Sequence, residues 1–147
     1  MADMREILLA RVLVVLKTVQ GLETCERNLD DLSDLRLPAA ILFDGDEEAF
    51  DNPRARGQAP NAVEMHPVIE VHFPEAPENV GTQINAIRAR IQKALCADTT
   101  IRTLCGNVPH AGIRYIGMTS DLAAGRATVA KRILSFGINY LFKPTDL

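Results

Sequence analysis

The sequence predicts an α+β fold: a mainly antiparallel sheet packed by two helices, one N-terminal and one central. Three observations predict it. In the stretch Thr82–Ala97, Ile84, Ile87, Ile91 and Leu95 recur at i, i+3, i+7 and i+11, with Ala94 widening the stripe and Arg88, Arg90, Gln92 and Lys93 off it. That is an amphipathic helix, stable only when something covers its apolar face. The segments on either side, Ala62–Phe73 and Ile113–Phe142, alternate like strands. Strands come in runs joined by hairpin-length links, which is the order of an antiparallel sheet with helices laid across it. The chain of 147 residues suits a single domain over 1–147, and no internal repeat or linker divides it.

Each element has its own signals. Asp3 is placed as an N-cap with Glu6 in capping-box position, opening a helix that runs to about Gln20. Leu8, Val12, Val15, Leu16 and Val19 form its stripe, and Gly21 is the expected left-handed stop. So apolar a helix requires cover on more than one side. The run Ile7–Leu16 is too short to span a bilayer and contains Arg11, and the acidic MADMRE before it is not a signal-peptide start. Thr24–Asn28 fits a short strand, while Leu29–Leu37 fits either a turn or a short helix. AAILFDG, after Pro38, reads as a strand ended by Asp-Gly.

Asp44–Asn61 lacks periodicity and reads as a long irregular loop with an acidic first half and a basic second half. In Ala62–Phe73, Val63, Met65, Pro67, Ile69, Val71 and Phe73 share one face. Glu64, His66, Val68, Glu70 and His72 share the other. Pro67 lacks a ladder donor, so the strand must be at an edge or bulge there. Asn79 or Thr82 caps the central helix, and Thr99–Cys105 fits one more helical turn. Gly106–Gly112 is a loop, IRYIGM a strand, Ser120–Gly125 a turn, and Ala127–Phe142 the longest strand, with Leu134, Phe136, Ile138 and Tyr140 on one side.

Composition excludes several functions. A net charge of −3 argues against a bulk basic field for nucleic acid or membrane surfaces. Cys25, Cys96 and Cys105 show no metal or redox spacing and read as reduced cytosolic thiols, with Cys96 in or near the core. The acidic run Asp44–Glu48 misses the spacing of a calcium loop and has no second acidic cluster to complete a site. His66 and His72 lie about 20 Å apart along an extended strand and cannot ligate one ion together. Ser33, Ser120 and Ser135 lie in no nucleophile elbow, and no glycine-rich phosphate loop is present. No catalytic residue, metal or cofactor is therefore expected. Arg54 and Arg56, with Arg126, Lys131 and Arg132, are the basic groups suited to protein–protein ion pairs, since no aromatics interleave with them.

The order of pieces resembles the tail terminator family of long-tailed bacteriophages, the group that includes minor tail protein U. Four features carry the resemblance: an N-terminal apolar helix opening M-x-x-x-x-x-I-L-x-x-R; the strand PAAILFDGDEE before an irregular loop; VIEVHF, a proline-containing linker and INAIRARIQKAL; and the closing pair IRYIGM and AKRILSFGINYLF. The resemblance covers nearly the whole chain. It implies a structural, non-enzymatic protein of a phage or prophage tail. Such a protomer assembles as a hexameric ring that caps the tail tube, stops its polymerisation and offers a surface for head joining. The implied partners are sister copies, the tail tube protein and a head-completion or connector protein, with no membrane and no specific nucleic acid. The implied location is the virion tail, with the host cytoplasm during assembly. Related neck and head–tail connector rings share the architecture and stand as the alternative, and a small α+β enzyme as the third reading.

The family supplies no residue motif to transfer, so the interface expectation comes from charge. A closed ring needs two different surfaces that meet head to tail. The loop Asp44–Asn61 offers opposite charges in its two halves, which fixes register more than it adds affinity. Glu47, Glu48, Arg54 and Arg56, with Arg126, Lys131 and Arg132, are therefore expected at an interface, the lumen or the tube-facing surface.

Overall fold

The computed structural model describes residues 3–29, 36–49, 61–74, 80–108, 110–121 and 129–142. The elements in chain order are α1 (Met4–Leu16), β1 (Thr24–Arg27), β2 (Ala39–Ala49), β3 (Asn61–Pro74), α2 (Val80–Cys96), α3 (Thr99–Cys105), β4 (Gly112–Asp121) and β5 (Val129–Phe142). The strands form one sheet in the order β1-β2-β3-β5-β4. The fold is α+β, as expected, but the sheet is mixed: β1 runs parallel to β2, and the other three pairings are antiparallel. The expected extra helical turn at Thr99–Cys105 is present as α3 beside the two longer helices.

The three helices share one core with one face of the sheet. Ile84, Ile87, Ile91 and Leu95 of α2 and Leu8, Val12, Val15 and Leu16 of α1 are buried with Val63, Met65, Ile69, Val71 and Phe73 of β3 and Leu134, Phe136, Ile138 and Tyr140 of β5. These are the stripes and alternations read from the sequence. Each such aliphatic side chain contributes about 1.5–3 kcal/mol by leaving water, so the helix layer is held chiefly by these stripes. α1 packs toward β1 and β2, and α2 and α3 toward β4 and β5, with α1 also touching both other helices.

Several boundaries move. α1 stops at Leu16 rather than near Gln20. Thr18 and Val19 then turn, with their amides donating to Val15 and Leu16 carbonyls. Gly21 does take a positive φ of 103°, but beyond the helix end. Asp3 is the N-cap, its side chain accepting from the Arg5 amide; Glu6 does not complete a capping box but pairs with Arg27. Cys96 is exposed, and Cys105 is the thiol in the core. Residues 30–35, most of the ambiguous Leu29–Leu37 stretch, lie outside the described residues, as do Asn79, residues 122–125 of the expected Ser120–Gly125 turn and the first two residues of the expected Ala127–Phe142 strand.

The largest correction concerns Asp44–Asn61. β2 does not end at Asp-Gly: it continues to Ala49 through a bulge. Phe43 is paired with Val68, yet Asp46 is paired with His66, so β2 carries one extra residue. Pro67 faces this break. β3 is a central strand, so the edge alternative fails and the bulge alternative holds. With no N–H to give, Pro67 cannot close the ladder. Gly45 makes the bulge possible. Its φ is +71°, and a Cβ there would lie 1.9 Å from the His66 carbonyl oxygen, so a side chain is excluded by both backbone and space. A second bulge, between Tyr115 and Gly117 of β4, faces Phe136 and Ser135 of β5. Phe136 lies across from Pro67, so the irregularities fall on one line across four strands. Bulges bend their strands and increase twist, and alignment makes them a single crease.

Candidate assembly surface

The bulge in β2 decides where the predicted acids point. Because one residue is inserted, Glu47 is paired with Met65, on the helix side, and Glu48 with Glu64, on the other. Without the bulge the two would exchange faces. Glu47 accepts a short hydrogen bond from the hydroxyl of Tyr140, and Arg5 Nη1 stands 3.9 Å from its other oxygen. Burial, reinforced by the Glu47 carboxylate, pushes the Tyr140 phenol well above its ordinary value. Glu47 is thus committed within the chain. It anchors the end of the core rather than offering a free charge. Glu48 is exposed.

Three side chains lock the bulge. Arg5 Nη2 donates to the carbonyls of Gly45 and Asp44 at 2.7 and 3.3 Å, two groups in the interrupted stretch of the ladder. Arg27 holds Asp44 through Nε and Nη2 at 2.8 and 3.0 Å and holds Glu6 through Nη1 and Nη2 at 2.6 and 2.9 Å. Asn28, at a left-handed φ of 52°, adds a side-chain bond to Asp44 at 3.1 Å. The Arg27 guanidinium holds both carboxyls below their usual range, and its own pKa is raised by them. This doubly bidentate fork joins α1, β1 and β2. No local pattern announces it, because Glu6, Arg27 and Asp44 lie far apart in the chain.

The second face of the sheet is covered by no described helix. Ala39 and Ile41 on it are nevertheless buried, and Val68, Ile133 and Ser135 half-buried. Its charges form two groups. At one end Glu64 meets Arg114 in a short ion pair and His66 at 3.2 Å, while Arg114 Nη1 donates to Asn139 Oδ1 at 3.2 Å. Burial raises the Glu64 pKa, but Arg114 and His66 outweigh it and leave the group below its ordinary value. Gly137 permits this arrangement: a Cβ would sit 2.9 Å from the Arg114 guanidinium carbon. At the other end Glu70 lies 3.3 Å from His72 and 3.8 Å from Lys131. Burial keeps the His72 pKa low against the pull of Glu70.

Of the predicted bases, the described Lys131 and Arg132 lie apart from Glu47 and Glu48 within the chain. Lys131 is opposite His72 and Arg132 opposite Val71, so the two point to different faces. Glu48 is opposite Glu64, eight residues along β3 from His72, or about 26 Å. Arg132 Nη1 donates to the Lys131 carbonyl at 3.0 Å. Arg54, Arg56 and Arg126 lie outside the described residues. Among the described residues, no three His, Cys, Asp or Glu side chains gather as metal ligands, and no helix is long and apolar enough to cross a membrane. The thiols are poor nucleophiles: burial raises all three, Cys105 to about 11.

A further tie escaped sequence reasoning. Asp98 caps α3 by accepting from the Ile101 amide at 2.9 Å and takes a two-pronged bond from Arg11 at 2.8 and 3.1 Å. The one polar residue placed inside the apolar run of α1 thus joins α1 to α3. The acid-before-helix pattern at Asp98 was a legible cap signal; its partner was not.

With five mixed strands under one helix layer, the chain has an α+β architecture that also occurs in a virion component. A chain of the native gene transfer agent virion particle superposes with a TM-score of 0.52 and 16% sequence identity, covering 90% of this chain and 91% of that one. A chain of the sheath/tube terminator of an extracellular contractile injection system, PVC, in its extended state, matches with a TM-score of 0.45 and 14% identity over 90% of this chain and 56% of that one. No family model matches the chain, and no curated protein matches it in sequence.

Proposed function

We propose that this chain is a structural protein of a phage-like tail, a tube terminator that closes into a ring on the end of the tail tube. The ring, a hexamer, stops tube polymerisation and offers a surface for the head-completion protein. The whole of 1–147 acts as one terminator domain, in the virion tail once assembled and in the host cytoplasm before. The observation that carries this reading is the sharing of one fold, end to end, with a gene transfer agent virion chain, added to the terminator-like order of elements in the sequence. The sheet supports it too: among the described residues, one face carries no helix layer and bears charged groups tied to one another. The chemistry favours scaffolding over catalysis, because the acids and bases of the site are tied to one another across strands and the thiols are held protonated.

Adding purified protein to polymerising tail tube protein tests this. Capped, length-limited tubes with protein at one end are expected. Association with the portal side instead would assign the chain to the neck, and tubes growing unchanged would end the terminator reading.

A further inference from the structure

Among the described residues, charge is distributed unevenly between the two borders of the sheet. Residues 23–29 and 36–48 hold six acids and two bases, a net charge of −4, whereas residues 80–106 hold four bases and one acid, a net charge of +3. The first stretch supplies β1 and β2, which begin the strand order, and the second supplies α2 and α3, which pack toward β4 and β5 at its other end. Many charges inside each stretch are already neutralised: Asp44 by Arg27, Asp98 by Arg11, and Arg90 is bonded to the Gln20 carbonyl. Among the described residues, what is left over is chiefly acidic in the first stretch, where Arg36 is the exposed exception, and basic in the second.

On the β1–β2 border, Glu26, Asp46 and Glu48 are exposed and form no ion pair with a described residue. β1 pairs with β2 only over Ala39–Leu42. Among the described residues, Asp46 and Glu48 therefore ride on a length of β2 whose outer edge has no neighbour. On the opposite border, Lys93 of α2 and Arg102 of α3 are exposed, and neither meets a described carboxylate. The Arg102 side chain passes beside Gly112, where β4 begins.

We infer that copies of this chain associate head to tail, the acidic β1–β2 border of one against the basic α2–α3 border of the next. The occupant is a second copy because the two borders are complementary in charge and lie at opposite ends of one sheet. A contact between unlike borders leaves one of each free and repeats until a ring closes, whereas a two-fold contact would set like charges against like. This deepens the ring reading: it keeps Glu48 of the Asp44–Asn61 stretch at the interface and adds Glu26, Asp46, Lys93 and Arg102 to it. It requires only self-association, so it stands or falls apart from tube capping.

The test is solution mass, by light scattering and native mass spectrometry, of full-length protein against ionic strength. Higher oligomers are expected at low salt and should dissociate as exposed charges are screened within about 8 Å at 0.15 M salt. The double variants Lys93→Glu/Arg102→Glu and Glu26→Lys/Asp46→Lys, each checked for an unchanged urea midpoint, should each lose the oligomers alone. Mixed in equal amounts they should regain them, because every border then meets its opposite. If a reversal unfolds the chain, Lys93→Gln/Arg102→Gln should still shift dissociation to lower salt. A wild type that stays monomeric at low salt, a ceiling at dimer, or variants that assemble alone would overturn the inference. Tube capping by a monomeric wild type would leave the terminator proposal intact while refuting this one.

Discussion

Gly45 is the residue on which the interior geometry turns. Its left-handed backbone and its contact with the His66 carbonyl leave no room for a side chain. Gly45→Ala should cost roughly 1–3 kcal/mol from the backbone conformation alone, read as a lowered urea midpoint. Gly81 is the control, since a Cβ there meets nothing within 4 Å. Gly81→Ala should gain roughly 0.5 kcal/mol. Titration gives a second residue-scale prediction. Asp44, Glu6 and Asp98 have folded pKa values below their ordinary 3.8 and 4.5. Their contribution is complete above those values and is lost as pH falls through the folded ones. His72, flanked by Glu70 and Lys131, is held neutral below its ordinary 6.5, so its contribution is lost first, from about pH 6.5 downward. Stability against pH should therefore fall in two stages. His72→Asn should remove the first, and Arg27→Met should flatten the second. A single drop confined to below pH 4.5 would show that His72 is not held as described.

At the scale of elements, α3 hangs on Asp98. Asp98→Ala should remove both the cap and the Arg11 tie, and Asp98→Asn should keep the cap while losing the charge. The cap alone is worth about 1 kcal/mol. Equal destabilisation by the two variants would mean the cap contributes nothing. The elements also show what local sequence can and cannot specify. Ile84, Ile87, Ile91 and Leu95 gave α2, and the two-residue alternations gave β3 and β5, because burial periodicity is written into consecutive residues. The end of α1 was misplaced because Val19 is buried in a turn that keeps the helical stripe going past Leu16. The continuation of β2 was missed for a different reason. Asp-Gly followed by three acids has the composition of a solvated turn, and only pairing with Val63–His66 from beyond the next segment makes it a strand. Pro67 did announce a bulge, though not that Gly45 would be its partner across the ladder.

For the whole molecule, the layer arrangement was legible and the assembly surface was not. Glu47 and Glu48 adjoin in sequence, yet the inserted residue sends one into the Tyr140–Arg5 anchor and leaves the other exposed. Lys131 and Arg132 likewise part to opposite faces of β5. Charge runs along a chain do not map onto surfaces until the register is known. Once it is known, the exposed acids Glu26, Asp46 and Glu48 fall at one border and the exposed bases Lys93 and Arg102 toward the other, the asymmetry that the proposed head-to-tail ring would use. The account's central claim is that such a ring terminates a tail tube. Its most direct test is electron microscopy of tail tubes assembled with labelled protein, scoring the position of the label. The account predicts one ring at one end of each tube and a length distribution that stops shifting once rings are present. Label scattered along the tubes, or absent from their ends while the tubes keep lengthening, would contradict it.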